Sequence, residues 1–325
     1  MSSNLKDVAE LAGVSTATVS RVINNKGYVS EQTKRKVIKA VNELNYLPTK
    51  TARFLAKKGQ TYNVAIISGE RVLDSISSHP DEFYTVVVKG ITDFAKKHRL
   101  NTHFLKMREN EYIYDGYLLL GGEITDDYIK DLKTTHKPVV LVDQYIPGLK
   151  IDCVVSDGYD GAVYGIEYLI KKGLKKIVTL HGPLSHFGFK DRYDGYVAAM
   201  ENHGLLPKTY EYDEIGDNMS TLIDMILRTY GKPEGIFGTN DTAAIRAMEE
   251  LRKRNFKIPE DISIMGFDDI VSASSVTPSL TTLKIFKYEL GSVAARRLFT
   301  LLMGEEEHPT KTSLFTHFIG RESTI

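Results

Sequence analysis

"LKDVAELAGVSTATVSRVINN", residues 5–25, holds two short helical patterns separated by a glycine. In the first, Leu5, Val8, Ala9 and Ala12 share one face, and Gly13 ends the run. Ser15 then stands where a side-chain oxygen can accept from the free N–H groups of a new helix. In that second pattern Val19, Val22 and Ile23 form an inner face, while Thr16, Ala17, Ser20, Arg21 and Asn24 point elsewhere. A third pattern, "SEQTKRKVIKAVNELNY", opens on Ser30 and is expected to bury Val37, Ile38, Val41 and Leu44. Three short helices, the first two joined by a glycine turn, make a helix-turn-helix head whose second helix enters the DNA major groove. The outer face of that helix suits such a role. Its side chains are short enough to approach base edges, can hydrogen-bond, and carry no negative charge.

The charge distribution agrees. The chain has 325 residues and equal numbers of basic and acidic side chains, 42 each. Residues 1–60, however, hold 11 Lys and Arg against 4 Asp and Glu, a net of +7, which leaves −7 for the remainder. A single cysteine, Cys153, excludes an intramolecular disulfide framework and fits a reducing cytoplasm. The first thirty residues contain no signal-like apolar core, and no run reaches the roughly 18 apolar residues of a membrane helix. A cytoplasmic protein without membrane partners is expected.

From residue 62 short apolar runs alternate with helical stretches, the pattern of parallel sheets in an α/β fold. "YNVAIIS", "THFLK", "YDGYLLL" and "PVVLVD" read as one set of strands; "DCVVS", "KKIVTLHG", "YEY", "GIFGT" and "ISIMGF" read as a second. Helices are expected over 83–98, 126–135, 160–172, 190–203, 219–230, 241–254 and 288–303. The count suits two doubly wound lobes. Ligands bind such sheets at the carboxyl ends of the strands, here Ser68-Gly69, Gly121-Gly122, Asp143-Gln144, Ser156-Asp157, His181-Gly182, Asn240-Asp241 and Asp268-Asp269. These groups hydrogen-bond rather than catalyse, as a cleft for a hydroxyl-rich molecule requires. Only "MRENEYI" separates "THFLK" from "YDGYLLL", whereas a parallel crossover normally takes about a dozen residues. A helix is missing there, and an uncovered sheet edge or an altered dimer surface is expected.

The near-continuous stretch over residues 5–48 resembles the DNA-binding domain of the lactose/galactose repressor (LacI/GalR) family of bacterial transcription factors. "SDGYDGAVYGIEYLIKKGLKKIVTLHGP", "RYDGYVAAMENHGL", "IFGTNDTAAIRAMEELRKRNFKIPEDISIMGFDD", "PSLTTLKIFKYELG" and "GRESTI" are similar to later family blocks. The resemblance implies a head over 1–48, a hinge helix and linker over 49–60, and an effector-binding, dimerising core of the periplasmic-binding-protein type over 61–325. The first lobe of that core would take about 61–150 plus 285–315, the second 151–284 plus 316–325.

By the same resemblance Thr16, Ala17 and Arg21 read the operator, Ser15, Ser20, Asn24 and Tyr46 touch mostly backbone, and Thr18 belongs to the same DNA-facing set. "PTKTARFLAKKGQ" is the hinge, too short to fold stably alone, with Ala52, Leu55 and Lys57 facing DNA and Leu55 wedging into the minor groove. Ser68, Asp143, Phe187, Arg192, Asn240 and Asp268 are the implied effector contacts. The sequence departs from the common family wording at Thr49, Phe54 and Gly158.

The partners expected are pseudopalindromic duplex DNA, a sugar or sugar derivative, and a second copy of the chain, since no leucine-heptad tail follows "GRESTI". No catalytic motif is present, and the nine histidines lack metal-ligand spacing, so neither enzyme chemistry nor a cofactor is expected. The alternatives are an exported sugar-binding protein, and a regulator using a purine or phosphoprotein corepressor.

Overall fold

Asn4 and Gly13 bracket the first helix, α1 (Leu5–Ala12). The Asn4 side chain accepts from the Lys6 and Asp7 N–H groups at 2.8 and 3.2 Å, and Asp7 accepts in return from Asn4 N at 2.7 Å. Gly13 ends the helix at φ 64°, a left-handed conformation that glycine adopts without a Cβ penalty. Helix α2 (Thr16–Ile23) starts where Ser15 Oγ accepts from Thr18 N at 3.1 Å, and α3 (Glu31–Glu43) where Ser30 Oγ accepts from Thr33 N at 3.3 Å. Val8, Ala9, Ala12, Val19, Val37 and Ala40 form the core of this head, with Val22, Ile23, Val41 and Leu44 packed around it. One expectation is corrected. Ile38 is 46% exposed, and the helix turns Ala40 inward in its place.

The structure, a computed structural model, describes residues 4–23, 28–44, 60–78, 83–109, 113–213, 216–306 and 308–325. The chain divides into two compact units, residues 1–61 with 299–307 and residues 62–298 with 308–325.

The larger unit contains two six-stranded sheets. The first has the order β11-β5-β4-β3-β1-β2, from β1 (Tyr62–Ser68), β2 (Leu100–Lys106), β3 (Gly116–Leu120), β4 (Val139–Val142), β5 (Asp152–Ser156) and β11 (Lys311–Leu314), all parallel. The second has the order β12-β10-β9-β8-β6-β7, from β6 (Ile177–His181), β7 (Lys208–Glu211), β8 (Gly235–Gly238), β9 (Ser263–Asp268), β10 (Thr281–Lys284) and β12 (His317–Ile319), with only the β12 edge antiparallel. The central strands are buried along their whole length, which is why they read as unbroken apolar runs.

"DCVVS" therefore belongs to the first lobe. As β5 it pairs with β4 and β11, and the chain changes lobe after Ser156 rather than at residue 151. Helix α7 (Gly158–Lys171), which follows, packs its Ala162, Ile166 and Leu169 into the second lobe beside Phe237, Met265 and Phe267. Two further passages, between β10 and helix α12 (Lys287–Met303) and between β11 and β12, complete a three-strand connection between the lobes.

In the first lobe, helix α6 (Asp126–Lys133) covers one sheet face with Tyr128, Ile129 and Leu132. Helices α5 (Phe83–Lys97) and α12 approach each other so closely that a Cβ on Gly90 would lie 2.1 Å from Tyr288 O, and one on Gly291 1.9 Å from Val87 O. Between β2 and β3 the described residues, 107–109 and 113–115, form no α-helix, and the chain passes β1 to reach its far side. Strand β2 is an edge, as β7 is in the second sheet where a helix does follow, but most β2 side chains are solvent-exposed, Phe104 among them at 43%, whereas those of β7 are mostly half-buried.

Helix α4 (Glu70–Ser78), directly after β1, and the short α11 (Val271–Ser275) were not foreseen from sequence. The remaining helices, α8 (Phe187–Asn202), α9 (Met219–Thr229) and α10 (Asp241–Lys253), lie within a few residues of their expected positions. Among the described residues no helix is long and apolar enough to cross a membrane.

Candidate recognition helix and interlobe cavity

The recognition helix is anchored by one fully buried residue, Val19, with Val22 and Ile23 half-buried beside it. Thr16, Ala17 and Arg21 are exposed. Ser15 and Thr18 are tied together at the helix start, Oγ to Oγ1 at 2.9 Å, so their hydroxyls are held before any partner arrives. Ser20 is half-buried. Asn24, Tyr46, Ala52, Leu55 and Lys57 lie outside the described residues.

In the larger unit a cavity of about 440 Å³ opens between the two sheets. That volume lies within the usual range for small-molecule sites. Strand ends supply Gly122, Asp143, Asn240 and Asp268, as their position at the carboxyl edge of the sheets required. Arg192 and Phe187, both on α8, also reach it; Ser68 does not, being buried at 2% exposure without lining the cavity. Arg71 and Asp74 of α4, Phe83 and Tyr84 of α5, Glu123, His186, Phe189, Thr242 and Ile270 also line the wall. Most of these additions sit on helix starts rather than strand ends, so the strand-end rule passed over them.

The polar centre is already organised. Arg192 Nη1 donates to Thr239 O at 2.5 Å, its Nη2 pairs with Asp268 Oδ1 at 3.0 Å, and the guanidinium lies 4.2 Å from the Phe267 ring centre. Its Nε is buried with no hydrogen-bond partner among the described residues. On the first lobe Tyr84 Oη donates to Asp143 Oδ2 at 3.0 Å. Burial raises the Asp143 carboxyl to about 6, while the Arg192 charge and the Tyr84 bond pull it back. The same burial, helped by Asp143, holds the Tyr84 phenol well above its ordinary range. Behind them Asp241 accepts from Thr282 Oγ1 at 2.5 Å and from Ile270 N at 2.9 Å, and burial followed by the Asp268 charge pushes it up to about 8.

Backbone strain occurs at the same place. Asp143, Asp268 and Asp269 have φ values of 58°, 115° and 52°, in the left-handed half of the map that non-glycine residues seldom occupy.

The aromatic wall spans both lobes. Phe187 meets the Tyr145 ring edge-on at 5.6 Å, and Lys311 Nζ lies 4.0 Å from the Tyr145 centroid and 5.1 Å from that of Phe187. A Cβ on Gly122 would fall 2.9 Å from the His186 ring, so that glycine lets the second lobe's histidine close against the first. Gly158 has a comparable reason. A Cβ there would lie 2.9 Å from Arg192 Cγ and 3.0 Å from Asp191 Oδ2, an oxygen that also accepts from Tyr159 N at 2.9 Å.

Comparison with known proteins places both parts of the chain in one family. Residues 4–49 match the model of bacterial regulatory proteins of the lacI family, and residues 166–324 that of the periplasmic binding protein-like domain. The transcriptional regulator RegA of Clostridium saccharobutylicum is 32% identical over the whole of both chains. The ribose operon repressor of Escherichia coli K12 is 34% identical across 89% of this chain and 90% of its own. Among solved structures, the regulator CelR in complex with cellobiose covers 99% of each chain at 26% identity with a TM-score of 0.74. The Lac repressor dimer bound to operator and the anti-inducer ONPF covers 100% of each at 25% identity with a TM-score of 0.71. The chain belongs to the lacI family of bacterial regulatory proteins, with a DNA-binding helix-turn-helix head and a ligand-binding body of the periplasmic-binding-protein type.

Proposed function

We propose that the protein is a cytoplasmic repressor that binds a pseudopalindromic operator as a homodimer and loses or gains DNA affinity when a small sugar or sugar derivative occupies the interlobe cavity. The observation that carries this reading is the cavity's composition. Asp143, Arg192, Asn240 and Asp268 offer acceptors and donors to hydroxyl groups, while Phe187 and Phe189 supply apolar surface for the face of a sugar ring. The relatives support the same class, since one is named a ribose operon repressor and a structural neighbour holds cellobiose.

In this reading Thr16, Ala17 and Arg21 meet base edges, with Ser15, Thr18, Ser20, Asn24 and Tyr46 on the backbone, and two heads occupy successive half-sites. Ala52, Leu55 and Lys57 contact DNA between them, with Leu55 as the minor-groove wedge. A ligand that favours one angle between the lobes shifts the population of the DNA-competent form, and whether it induces or corepresses follows from which angle it favours.

The test is a selection of duplex DNA from a random pool by the full-length protein, followed by titration of the selected site with a panel of pentoses, hexoses and disaccharides. A palindromic consensus whose binding changes at least tenfold with one sugar is the expected result. A pool that yields no consensus, or a selected site indifferent to every sugar that raises the melting temperature, overturns the reading.

A further inference from the structure

Lys287, the first residue of α12, is a lysine with only 8% of its surface exposed. Its helix belongs to the first lobe, pressed against α5 through Gly90 and Gly291. Its side chain nevertheless reaches the second lobe. Nζ donates to the main-chain oxygen of Asp268, and to that of Asp269 at 2.9 Å, both at the carboxyl end of β9 in the second lobe. The ammonium also lies 6.0 Å from the ring of Phe83, which lines the cavity.

The two carbonyls it holds belong to consecutive residues of positive φ, 115° and 52°. Such a non-glycine residue is strained and persists only where its surroundings over-determine it. Arg321 Nη2 fixes the Asp269 carboxylate at 2.6 Å, and Arg192 the Asp268 carboxylate, but the carbonyls between them are turned toward Lys287. The charged groups facing its ammonium are Asp268, Asp241 and Asp269, with Lys284 as the opposing cation. Burial lowers the Lys287 pKa, and these three carboxylates act to keep the ammonium charged.

We propose that Lys287 is a positioning residue of the effector site: from the first turn of a first-lobe helix it holds the Asp268–Asp269 corner of the second lobe, so that the setting of the Asp268 carboxylate depends on the angle between the lobes. The proposal rests on the cavity being the effector site. It adds the element through which occupancy at Asp268 reaches the first lobe. A ligand that draws on Asp268 pulls on the corner, the corner pulls on Lys287, and α12 moves with it against α5.

The test needs no ligand, so its failure is separable from failure of the sugar reading. Nitroxide labels at Lys130→Cys in α6 and Glu201→Cys in α8 report the separation of the lobes in the full-length protein by pulsed electron resonance; Cys153, 1% exposed, does not compete for label. Hydrogen exchange at the Ile270 amide, bonded to Asp241 in the native corner, reports the corner itself. Lys287→Met is expected to shift and broaden the lobe separation and to lose protection at Ile270, while the β8 amides of Ile236 and Phe237 keep theirs; Lys287→Arg restores both readouts. An unchanged separation or unchanged Ile270 protection in Lys287→Met overturns the proposal, as does a loss of protection spread evenly over β8. Should Lys287→Met not fold, Lys287→Gln, which keeps a donor but cannot span both carbonyls, is judged by the same two readouts.

Discussion

Arg192 and Asp268 form an ion pair 3.0 Å long with 5% and 11% of their side chains exposed, at the wall of the cavity. Water screens such a pair little, so each charge depends on the other for its solvation. Removing one partner of a buried pair typically costs about 3–5 kcal/mol, because the survivor is left uncompensated. Asp268→Ala should therefore lower the unfolding free energy by about that amount in a urea titration. A loss within about 1 kcal/mol of zero would mean that water reaches the pair. The gentler Asp268→Asn should fold, keep its affinity for DNA, and lose the response to the sugar that moves the wild type.

Asp143 makes a prediction about pH. Burial raises its carboxyl on folding from the ordinary 3.8 to about 6, so between those values the native state binds more protons than the unfolded chain. Stability from this group is complete below pH 3.8 and is lost as pH rises through 6, a total of about 3 kcal/mol. Asp241, raised to about 8, acts with the same sign over a wider window. Asp143→Asn should thus fall less in melting temperature between pH 4.5 and 7 than the wild type, while keeping the part due to Asp241. Parallel curves for the two proteins would show that Asp143 is solvated in the native state.

Much of this architecture was open to inspection before any coordinates. The apolar runs of β1, β3, β4, β6, β8 and β9 mark buried parallel strands, and the carboxyl-end rule picks out Asp143, Asn240 and Asp268. What escaped depends on distance in sequence. "DCVVS" has the same local signature in either lobe, and only its pairing with β4 and β11 assigns it. Tyr84 and Lys287 occupy first turns of helices whose faces are decided by tertiary packing, so periodicity gives no hint that one bonds Asp143 and the other the Asp268–Asp269 corner. Ile38 shows the reverse error, an apolar residue on the predicted inner face that the bundle leaves in solvent.

Gly291 tests the packing of the first lobe. Its missing side chain lets α12 lie against the backbone of α5, with Val87 O 1.9 Å from where a Cβ would stand. The obstacle is main chain, which cannot rotate aside as a side chain could. Gly291→Ala should destabilise the protein by about 1–3 kcal/mol in the same urea titration, even though alanine is the better helix former by about 1 kcal/mol. A neutral or stabilising result would mean that the two helices are free to move apart.

Arg21 offers a test of what helix α2 reads. Val19 holds the helix to its core, and Arg21 stands exposed near its end with nothing acidic on the same helix. An arginine so placed suits bidentate contact with the O6 and N7 of guanine, worth about 1–3 kcal/mol of discrimination at a single base pair. Lys, Ser and Thr contacts to phosphate weaken all sequences alike when lost, so the two roles separate in one experiment. Selection from random DNA with Arg21→Ala should give the wild-type consensus with one position per half-site relaxed, and Ala17→Ser should alter a neighbouring position by changing contact with a thymine methyl. If Arg21→Ala instead lowers affinity evenly and leaves every position of the consensus intact, Arg21 binds backbone, and the reading of bases falls to Thr16 and Ala17.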